Sequence, residues 1–369
     1  MPRNKINILS IDGGGIRGII PATVLVHIEK RIREKEGDHK RIADYVDLVA
    51  GTSTGAILGA MLLIPDANGR PKYTAEDALD FYVQYGEQIF NQSVKRRTMF
   101  AQLAFGAARY SEKRLESLLK EKVGDCMLSQ LLKPCIITSY NMHNAKAVFF
   151  NSREQNAEKG DFLLREVLRS TSAAPTYFNP AMLGFHVAKG KPMVNLDGGV
   201  FANNPAMCAY AEARATVFPD WKDDKKDNKI FPTARNMLML SLGTGGGYVD
   251  LGNTANAARW KLLSWASKTP DIMMDGALHT VNYQVQKLFD SLEGEEVKNY
   301  KRVDFPKPDN SDEPPYSTDM SDASPDNVAI LQRSGALTVQ HANMTSNTEH
   351  TLNTFVDEMI TAFNTDSTQ

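Results

Sequence analysis

A serine flanked by glycines lies between two apolar stretches near the start of the chain. The stretch YVDLVA at 45–50 is typical of a strand, GTSTG at 51–55 fits the pattern G-x-S-x-G, and AILGAMLLI at 56–64 is typical of a buried helix. Gly51 and Gly55 would let a strand turn sharply into a helix and present the Ser53 hydroxyl near the positive end of that helix. This context predicts a nucleophilic serine. A buried glycine-rich turn without chemistry is the alternative.

A second glycine cluster, DGGGIRG at 12–18, follows an apolar run and precedes a helical pattern. The backbone N–H groups of Gly13, Gly14 and Gly15 suit an anion, either a nucleotide phosphate or the oxyanion of acyl transfer. The spacing does not fit G-x-x-x-x-G-K-[ST]. A dinucleotide fingerprint would need an acidic residue at a strand end about twenty positions later. The chain has the charged helix end REKEGDHK there, so nucleotide binding is disfavoured.

An aspartate followed by two glycines ends a later apolar run, LDGGV at 196–200. Taken alone, Asp197 is more typical of a turn-forming residue than of a catalytic one. At the end of a strand, however, it is well placed to enter a site from the carboxyl edge of a sheet. Asp197 therefore gains a catalytic interpretation only in combination with the serine and the first glycine cluster.

Strand-like and helix-like segments alternate along the chain. Strands are predicted at 6–11, 45–50, 135–139, 147–150, 193–196 and 237–242, and helices around 19–35, 56–64, 76–90, 111–122, 161–170, 204–216 and over the last forty residues. This alternation predicts an α/β fold in which a mostly parallel sheet is covered on both faces. We expect a three-layer sandwich, related in style to the α/β-hydrolases.

The composition excludes several classes of function. The 369 residues carry 42 basic and 44 acidic side chains, a net charge of −2, which disfavours binding to a nucleic acid polymer through bulk positive charge. Three cysteines without a close pair predict neither a disulfide framework nor a zinc site. HExxH, EF-hand and clustered His/Asp patterns are missing, so we expect no metal and no cofactor.

The sequence contains no predicted membrane anchor. The N-terminal stretch lacks the apolar core of a signal peptide. An uncharged stretch at 48–65 approaches the length of a bilayer span, but its centre, GTSTG, is poor material for a transmembrane helix. A buried strand, a tight turn and a buried helix explain this stretch better. We expect a cytoplasmic protein that is peripheral at membranes during catalysis.

Taken together, the motifs resemble those of the patatin-like phospholipases, the lipid acyl hydrolases of bacteria and plants. The resemblance rests on GGGIRG, GTSTG and DGG in this order, and extends to RSTSAAPTYFNP at 169–180, LSLGTG at 240–245 and MSDASPDN at 320–327. It covers the chain from about residue 5 to 340. It implies hydrolysis of fatty-acyl esters of membrane phospholipids or glycolipids through an acyl-enzyme, and the missing metal-binding motifs predict that this hydrolysis needs no calcium.

The resemblance also implies a role for each matching residue. Ser53 is the nucleophile and Asp197 its partner in a Ser–Asp dyad, while Arg17 is the arginine of the first motif, placed to stabilise the loop or a lipid phosphate. The family's oxyanion hole falls on Gly13, Gly14 and Gly15, and the remaining motif glycines are Gly51, Gly55, Gly198 and Gly199.

This chemistry is coherent on the residues themselves. A carboxylate within hydrogen-bond reach of a serine can remove the proton that keeps the hydroxyl inert. The competing mechanism is a Ser–His–Asp triad. None of the seven histidines lies in a recognisable catalytic motif, and His186, which precedes the Asp197 strand, is the one to test.

We expect one domain at 5–345 followed by a helical tail at 346–369. Surface loops are predicted for the charged run 220–228 and for the Pro- and Asp-rich segment 304–327. The segment 94–110, VKRRTMFAQLAFGAARY, combines basic and apolar residues and would suit a lid or a transient contact with a membrane. The stretch 260–272 is a second candidate. Packing against the core is the alternative for both.

Two further functions stay open at this stage. One is a bacterial phospholipase effector that a small-molecule activator, such as a cyclic nucleotide, or a host factor switches on. The other is a lipid-binding or storage protein with residual esterase activity. Intact motifs at Ser53 and Asp197 argue against the second, because binding alone does not need them. The sequence does not indicate an oligomeric state.

Overall fold

The computed structural model describes residues 3, 5–90, 108–154, 161–184, 193–219, 221, 231–246, 262–306, 315–344 and 350–364. Its strands are β1 (Ile6–Ile11), β2 (Leu48–Gly51), β3 (Cys135–Asn141), β4 (Lys146–Asn151), β5 (Ala181–Leu183), β6 (Met193–Asp197), β7 (Met237–Leu242) and β8 (Tyr300–Val303). Its helices are α1 (Ile19–Glu36), α2 (Thr54–Leu63), α3 (Ala75–Ile89), α4 (Glu112–Val123), α5 (Leu164–Thr171), α6 (Gly199–Ala202), α7 (Ala206–Ala215), α8 (Leu262–Asp290), α9 (Pro325–Asn343) and α10 (Leu352–Asn364).

All eight strands belong to one sheet with a parallel centre. The strands β3, β2, β1, β7 and β8 are parallel neighbours in that order. Both β4 and β6 pair antiparallel with β3, and β5 pairs antiparallel with β6. The carboxyl ends of the five parallel strands therefore lie at one edge of the sheet, where open α/β sheets bind their ligands.

Alternate residues of the central strands enter two separate apolar cores. Leu9 and Val49 pack in the core that contains residues of α1, α2, α9 and α10, whereas Ile8 and Ala50 pack with residues of α7 and α8. Because successive side chains of a strand point to opposite faces, the sheet is the middle one of three layers. This confirms the predicted three-layer α/β fold, with a sheet that is mixed rather than wholly parallel.

The uncharged stretch at 48–65, which approaches the length of a bilayer span, is part of this core. Residues 48–65 form β2, a turn and α2, which confirms the strand, turn and helix predicted there. All ten residues of α2 are buried, so an apolar helix of this length needs no membrane to cover it. None of the described helices has both the length and the apolar character that a bilayer crossing requires.

The structure differs from the sequence prediction in two short strands and in α8, whose 29 residues were not among the predicted helices. The three residues of β5 and the polar strand YKRV of β8 were not predicted. The segment 304–327, predicted as irregular, is irregular at 304–306 and 315–324, but α9 already begins at Pro325. Ser324 caps this helix by accepting a hydrogen bond from the Asn327 N–H, and proline suits the first helical position.

The C-terminal helix is built into the core. Leu352 and Phe355 of α10 have no exposed surface, and the Asn7 side chain of β1 donates a 2.8 Å hydrogen bond to the Met359 carbonyl. Two predicted surface features lie mostly outside the described residues. Only 108–110 of the candidate lid 94–110, and only Trp221 of the charged run 220–228, are described.

Candidate active site

Ser53 occupies a strained turn between β2 and α2. Its φ of 51° and ψ of −120° are unusual for a residue with a side chain, and such backbone strain is typical of a nucleophile elbow. The neighbouring elements approach so closely that a Cβ atom on Gly55 would lie 2.1 Å from the Ile11 carbonyl oxygen. The Ser53 N–H donates a 2.8 Å hydrogen bond to the Thr171 hydroxyl at the end of α5. The turn is therefore held on both sides while the serine stays half-buried.

Strand pairing brings Asp197 to the same place. Because β4 occupies one edge of β3, both β2 and β6 must pair with the other edge. The two strands approach along it from opposite ends. Gly51, the last residue of β2, pairs with Ile137, and Asp197, the last residue of β6, pairs with Ser139. Two residues along a strand span about 7 Å, so both strand ends meet at one point.

The Asp197 carboxyl group is buried and hydrogen-bonded. Only 5% of the residue is exposed. Burial raises the pKa of Asp197 to about 6, and hydrogen bonds from the Gly199 N–H and the Ser53 side chain offset part of this rise. The Gly199 N–H lies 2.7 Å from Oδ1. The Asp197 N–H donates to the Ala173 carbonyl at 3.0 Å, so the RSTSAAPTYFNP segment supports both Asp197 and Ser53.

The first glycine cluster directs two N–H groups away from the protein's own acceptors. The Gly13 carbonyl accepts hydrogen bonds from the Thr244 hydroxyl at 2.8 Å and from the Asn203 side chain at 3.3 Å. Since the C=O and N–H of a trans peptide point in opposite directions, the Gly14 N–H faces away from these groups. In the same way, the Gly14 carbonyl accepts from the Arg17 N–H, which turns the Gly15 N–H outward. Neither N–H has an acceptor among the described residues.

Gly13 does not share this arrangement, which corrects the three-glycine prediction. Its N–H donates a 3.0 Å hydrogen bond to the Asn203 carbonyl and is not available to an oxyanion. The backbone N–H groups of Gly14 and Gly15 remain as the donors with which the loop can bind an anion. The other motif glycines support the site: Gly51 ends β2, Gly198 lies against Thr138, and Gly199 binds Asp197.

Comparisons with known proteins identify the family to which the chain belongs. The chain matches the family model for patatin-like phospholipases over residues 9–210. It is 35% identical over 311 residues to Patatin-like protein 2 of Oryza sativa subsp. indica, covering 81% of this chain and 76% of the relative. It is 34% identical over 339 residues to Patatin-2-Kuras 3 of Solanum tuberosum, covering 89% and 82%. The chain belongs to the patatin-like phospholipase family.

Membership in this family of lipid acyl hydrolases makes the chain a hydrolase. The structure of VipD from Legionella pneumophila covers 96% of the chain and 67% of its own length, at 12% identity and a TM-score of 0.39.

The arginine of the first patatin-like motif is buried beside the loop. Arg17 is 8% exposed, and its backbone N–H donates to the Gly14 carbonyl. Its side-chain Nε has no hydrogen-bond partner among the described residues. The backbone of Arg17 therefore helps to orient the Gly15 N–H, whereas a role of its guanidinium in binding a lipid phosphate stays a prediction.

A buried ion-pair network beneath the loop was not predicted from the sequence. Arg302 of β8 contacts both oxygens of Asp12, at 3.0 and 2.6 Å, and also Asp304, at 2.6 Å. Asp304 accepts the Gly245 N–H at 2.8 Å. The network thus links the start of the glycine loop to the segment that carries Thr244. The polar KRVD at 301–304, ending a strand, is the signal that could have indicated it.

Burial and charge act in opposite directions within this network. Burial raises the pKa of Asp12 to about 6, although the Arg302 guanidinium offsets part of the rise. The pKa of Arg302 is raised, because the Asp12 and Asp304 carboxylates outweigh the effect of its burial. Through Asp12, Asp304 and the hydrogen bond of Asp304 with the Gly245 N–H, the network joins the carboxyl ends of β1, β7 and β8.

No described histidine forms a hydrogen bond with Ser53 or Asp197. His27, for example, pairs with Asn353 on the α1 side of the protein. The alternative base, His186, lies outside the described residues. Within the described part of the chain, no group of three or more His, Cys, Asp or Glu side chains could hold a metal ion.

Proposed function

We propose that this patatin-like hydrolase cleaves fatty-acyl esters of membrane phospholipids or glycolipids with a Ser53–Asp197 dyad and without calcium. The observation that supports this most directly is that strand register brings Ser53, on the strained turn of a G-x-S-x-G motif, to the buried Asp197 carboxyl group, whose pKa the Ser53 side chain lowers. Two N–H groups without acceptors among the described residues lie on the neighbouring loop.

The first half of the reaction acylates the serine. Asp197 removes the proton from Ser53 Oγ as the oxygen attacks the ester carbonyl carbon. The negative charge that forms on the carbonyl oxygen is stabilised by the N–H groups of Gly14 and Gly15. The intermediate then expels the alcohol part of the lipid, which takes the proton from Asp197. The acyl group is left on Ser53.

Water completes the cycle through the same groups. Asp197 removes a proton from a water molecule, and the resulting hydroxide attacks the acyl carbon. The second oxyanion collapses, Ser53 leaves with the proton from Asp197, and the fatty acid is released. A base with a pKa of about 6 is ionised at neutral pH and remains basic enough to take these protons.

The test is release of fatty acid from mixed phospholipid and galactolipid vesicles in the presence of EDTA. Wild type should be active, while Ser53→Ala and Asp197→Asn should lose at least about a thousandfold. Ser334→Ala, a buried serine of α9, and Asp357→Asn, a surface carboxylate of α10, are matched controls that should keep full activity.

Four outcomes would contradict the proposal. Loss of turnover in EDTA would show that the reaction needs a metal. Loss with Ser53→Ala alone would point to another base, with His186 the first candidate. A silent wild type that responds to cyclic nucleotides or host factors would identify an activated effector, and silence throughout would favour a lipid-binding or storage protein.

A further inference from the structure

The helix α8 is longer than the sheet against which it packs. At its C-terminal end, Val285 and Phe289 are buried in the core, and the Phe289 ring stacks on Tyr300 at the start of β8. Further up, the Leu278 side chain lies 2.9 Å from where a Cβ atom on Gly246 would be, just beyond the carboxyl end of β7. Residues 262–277, which precede Leu278 and form about 24 Å of helix, therefore lie beyond the carboxyl edge of the sheet.

This projecting half of α8 begins next to the proposed dyad. The methyl group of Met274 lies 3.1 Å from where a Cβ atom on Gly199 would be. Gly199 in turn donates its N–H to the Asp197 carboxylate. The inner face of the projecting half thus touches the turn that holds Asp197, and its outer face points away from that turn.

Three large apolar side chains on the outer face are exposed. Trp265 is 46% exposed, Met273 is 63% exposed, and Ile272 is exposed as well. Ile272 and Met273 follow Trp265 by seven and eight residues, and this spacing places all three on one side of a helix. We call this set the outer stripe. Thr269, between them on that face, and Gly276, which follows them on it, carry no charge.

We propose that the outer stripe is the surface with which the protein sits on a lipid bilayer. This inference rests on the proposed function, because a lipid acyl hydrolase must bring its carboxyl edge to aggregated lipid. A tryptophan beside aliphatic side chains suits the boundary between head groups and acyl chains. A stable protein partner would need roughly 800 Å² on each side, whereas single side chains on one projecting helix can enter a bilayer without a complementary surface.

The test replaces all three side chains, as Trp265→Gln, Ile272→Gln and Met273→Gln together. Binding is measured in the Ser53→Ala background by co-sedimentation with phosphatidylcholine vesicles. The triple variant should bind at least about tenfold more weakly, because even one large apolar side chain withdrawn from water contributes roughly that factor. Binding should depend little on salt, since the stripe is uncharged. Met344→Gln, a 69% exposed methionine after α9, is the matched control.

Activity distinguishes docking from damage to the site. With Ser53 intact, the triple variant should hydrolyse the soluble ester p-nitrophenyl butyrate at the wild-type rate. It should hydrolyse the lipids of vesicles at a rate that is lowered in proportion to binding. Unchanged vesicle binding would overturn the proposal, and so would an equal loss on both substrates. A wild-type dimer that the triple variant makes monomeric, seen in sedimentation velocity, would overturn it in favour of self-association. If wild type hydrolyses neither substrate, the proposed function fails, while the vesicle-binding result still decides the docking surface.

Discussion

The Asp197 carboxylate and the Ser53 side chain lie close enough for Ser53 to lower the pKa of the carboxyl group, although their strands run in opposite directions. Both strands, β2 and β6, use one edge of β3 and end two β3 residues apart. The proximity of serine and aspartate is therefore a product of sheet register and does not depend on a long loop. A one-residue slip of β6 would turn Asp197 to the other face of the sheet.

The pKa of Asp197 predicts an acid limit of activity. With the pKa raised to about 6, the carboxylate is protonated below this pH and cannot take the Ser53 proton. We expect kcat/KM on a soluble ester to be constant above pH 7 and to fall about tenfold for each unit below 6. Circular dichroism at each pH checks that the fold persists. A profile that stays level down to pH 4.5 would speak against Asp197 as the base.

The same buried charge predicts that Asp197→Asn stabilises the protein at neutral pH. The folded pKa of about 6 exceeds the ordinary 3.8, so the charged carboxylate is disfavoured in the folded state. At about 1.4 kcal/mol for each pKa unit, removing the charge gains up to about 3 kcal/mol above pH 6. The gain should shrink as the pH falls from 6 to 4, where the wild-type carboxyl takes up its proton. Urea unfolding at pH 7.5 and pH 4 measures it, and a variant less stable than wild type at pH 7.5 would refute this.

Thr244 should matter for kcat more than for stability. Its hydroxyl donates to the Gly13 carbonyl at 2.8 Å and so orients the Gly14 N–H. We expect Thr244→Val to lower kcat about tenfold or more with little change in KM, because the donor acts on the transition state. Thr338→Val, which removes a similar buried hydrogen bond within α9, is the control. Both should cost about 1 kcal/mol in unfolding free energy. Equal kcat values in the two variants would show that Thr244 is structural.

Arg302 should be much more important for folding than a surface arginine. Arg302→Met leaves the fully buried Asp12 and the partly buried Asp304 without the cation between them, which should cost at least about 3 kcal/mol. Arg302→Lys keeps the charge but loses the bidentate contact, so an intermediate loss is expected. Arg31→Met, which breaks a partly exposed pair with Asp357, should cost less, about 1 kcal/mol or below. Urea unfolding compares the three, and similar losses for Arg302→Met and Arg31→Met would rule out this role.

Local patterns explain which parts of the fold could be predicted. The strand before Ser53, its turn and its buried helix are contiguous in the chain, and the glycines that the turn needs are visible in the sequence. The polar β8 and the three-residue β5 lack such a pattern. Their pairing partners lie elsewhere in the chain, and register alone defines them.

Long-range contacts explain what the sequence could not supply at the site. Gly13 appears equivalent to Gly14 and Gly15 until the Asn203 carbonyl, about 190 residues later, takes up its N–H. Asp12 belongs to a recognisable motif, but nothing near it indicates Arg302 as its partner. Such pairings depend on which strand ends meet at the carboxyl edge, and this follows from topology.

The activation of Ser53 by Asp197 is tested most directly by the rate at which a fluorophosphonate labels the serine. This reaction needs neither a lipid surface nor a lipid substrate, and mass spectrometry locates the label. We expect the reagent to label wild type at Ser53 and to leave this position unlabelled in Ser53→Ala. The rate of labelling at Ser53 should be at least about a hundredfold lower in Asp197→Asn. Labelling of Asp197→Asn at the wild-type rate would contradict it, as would labelling of wild type at a residue other than Ser53.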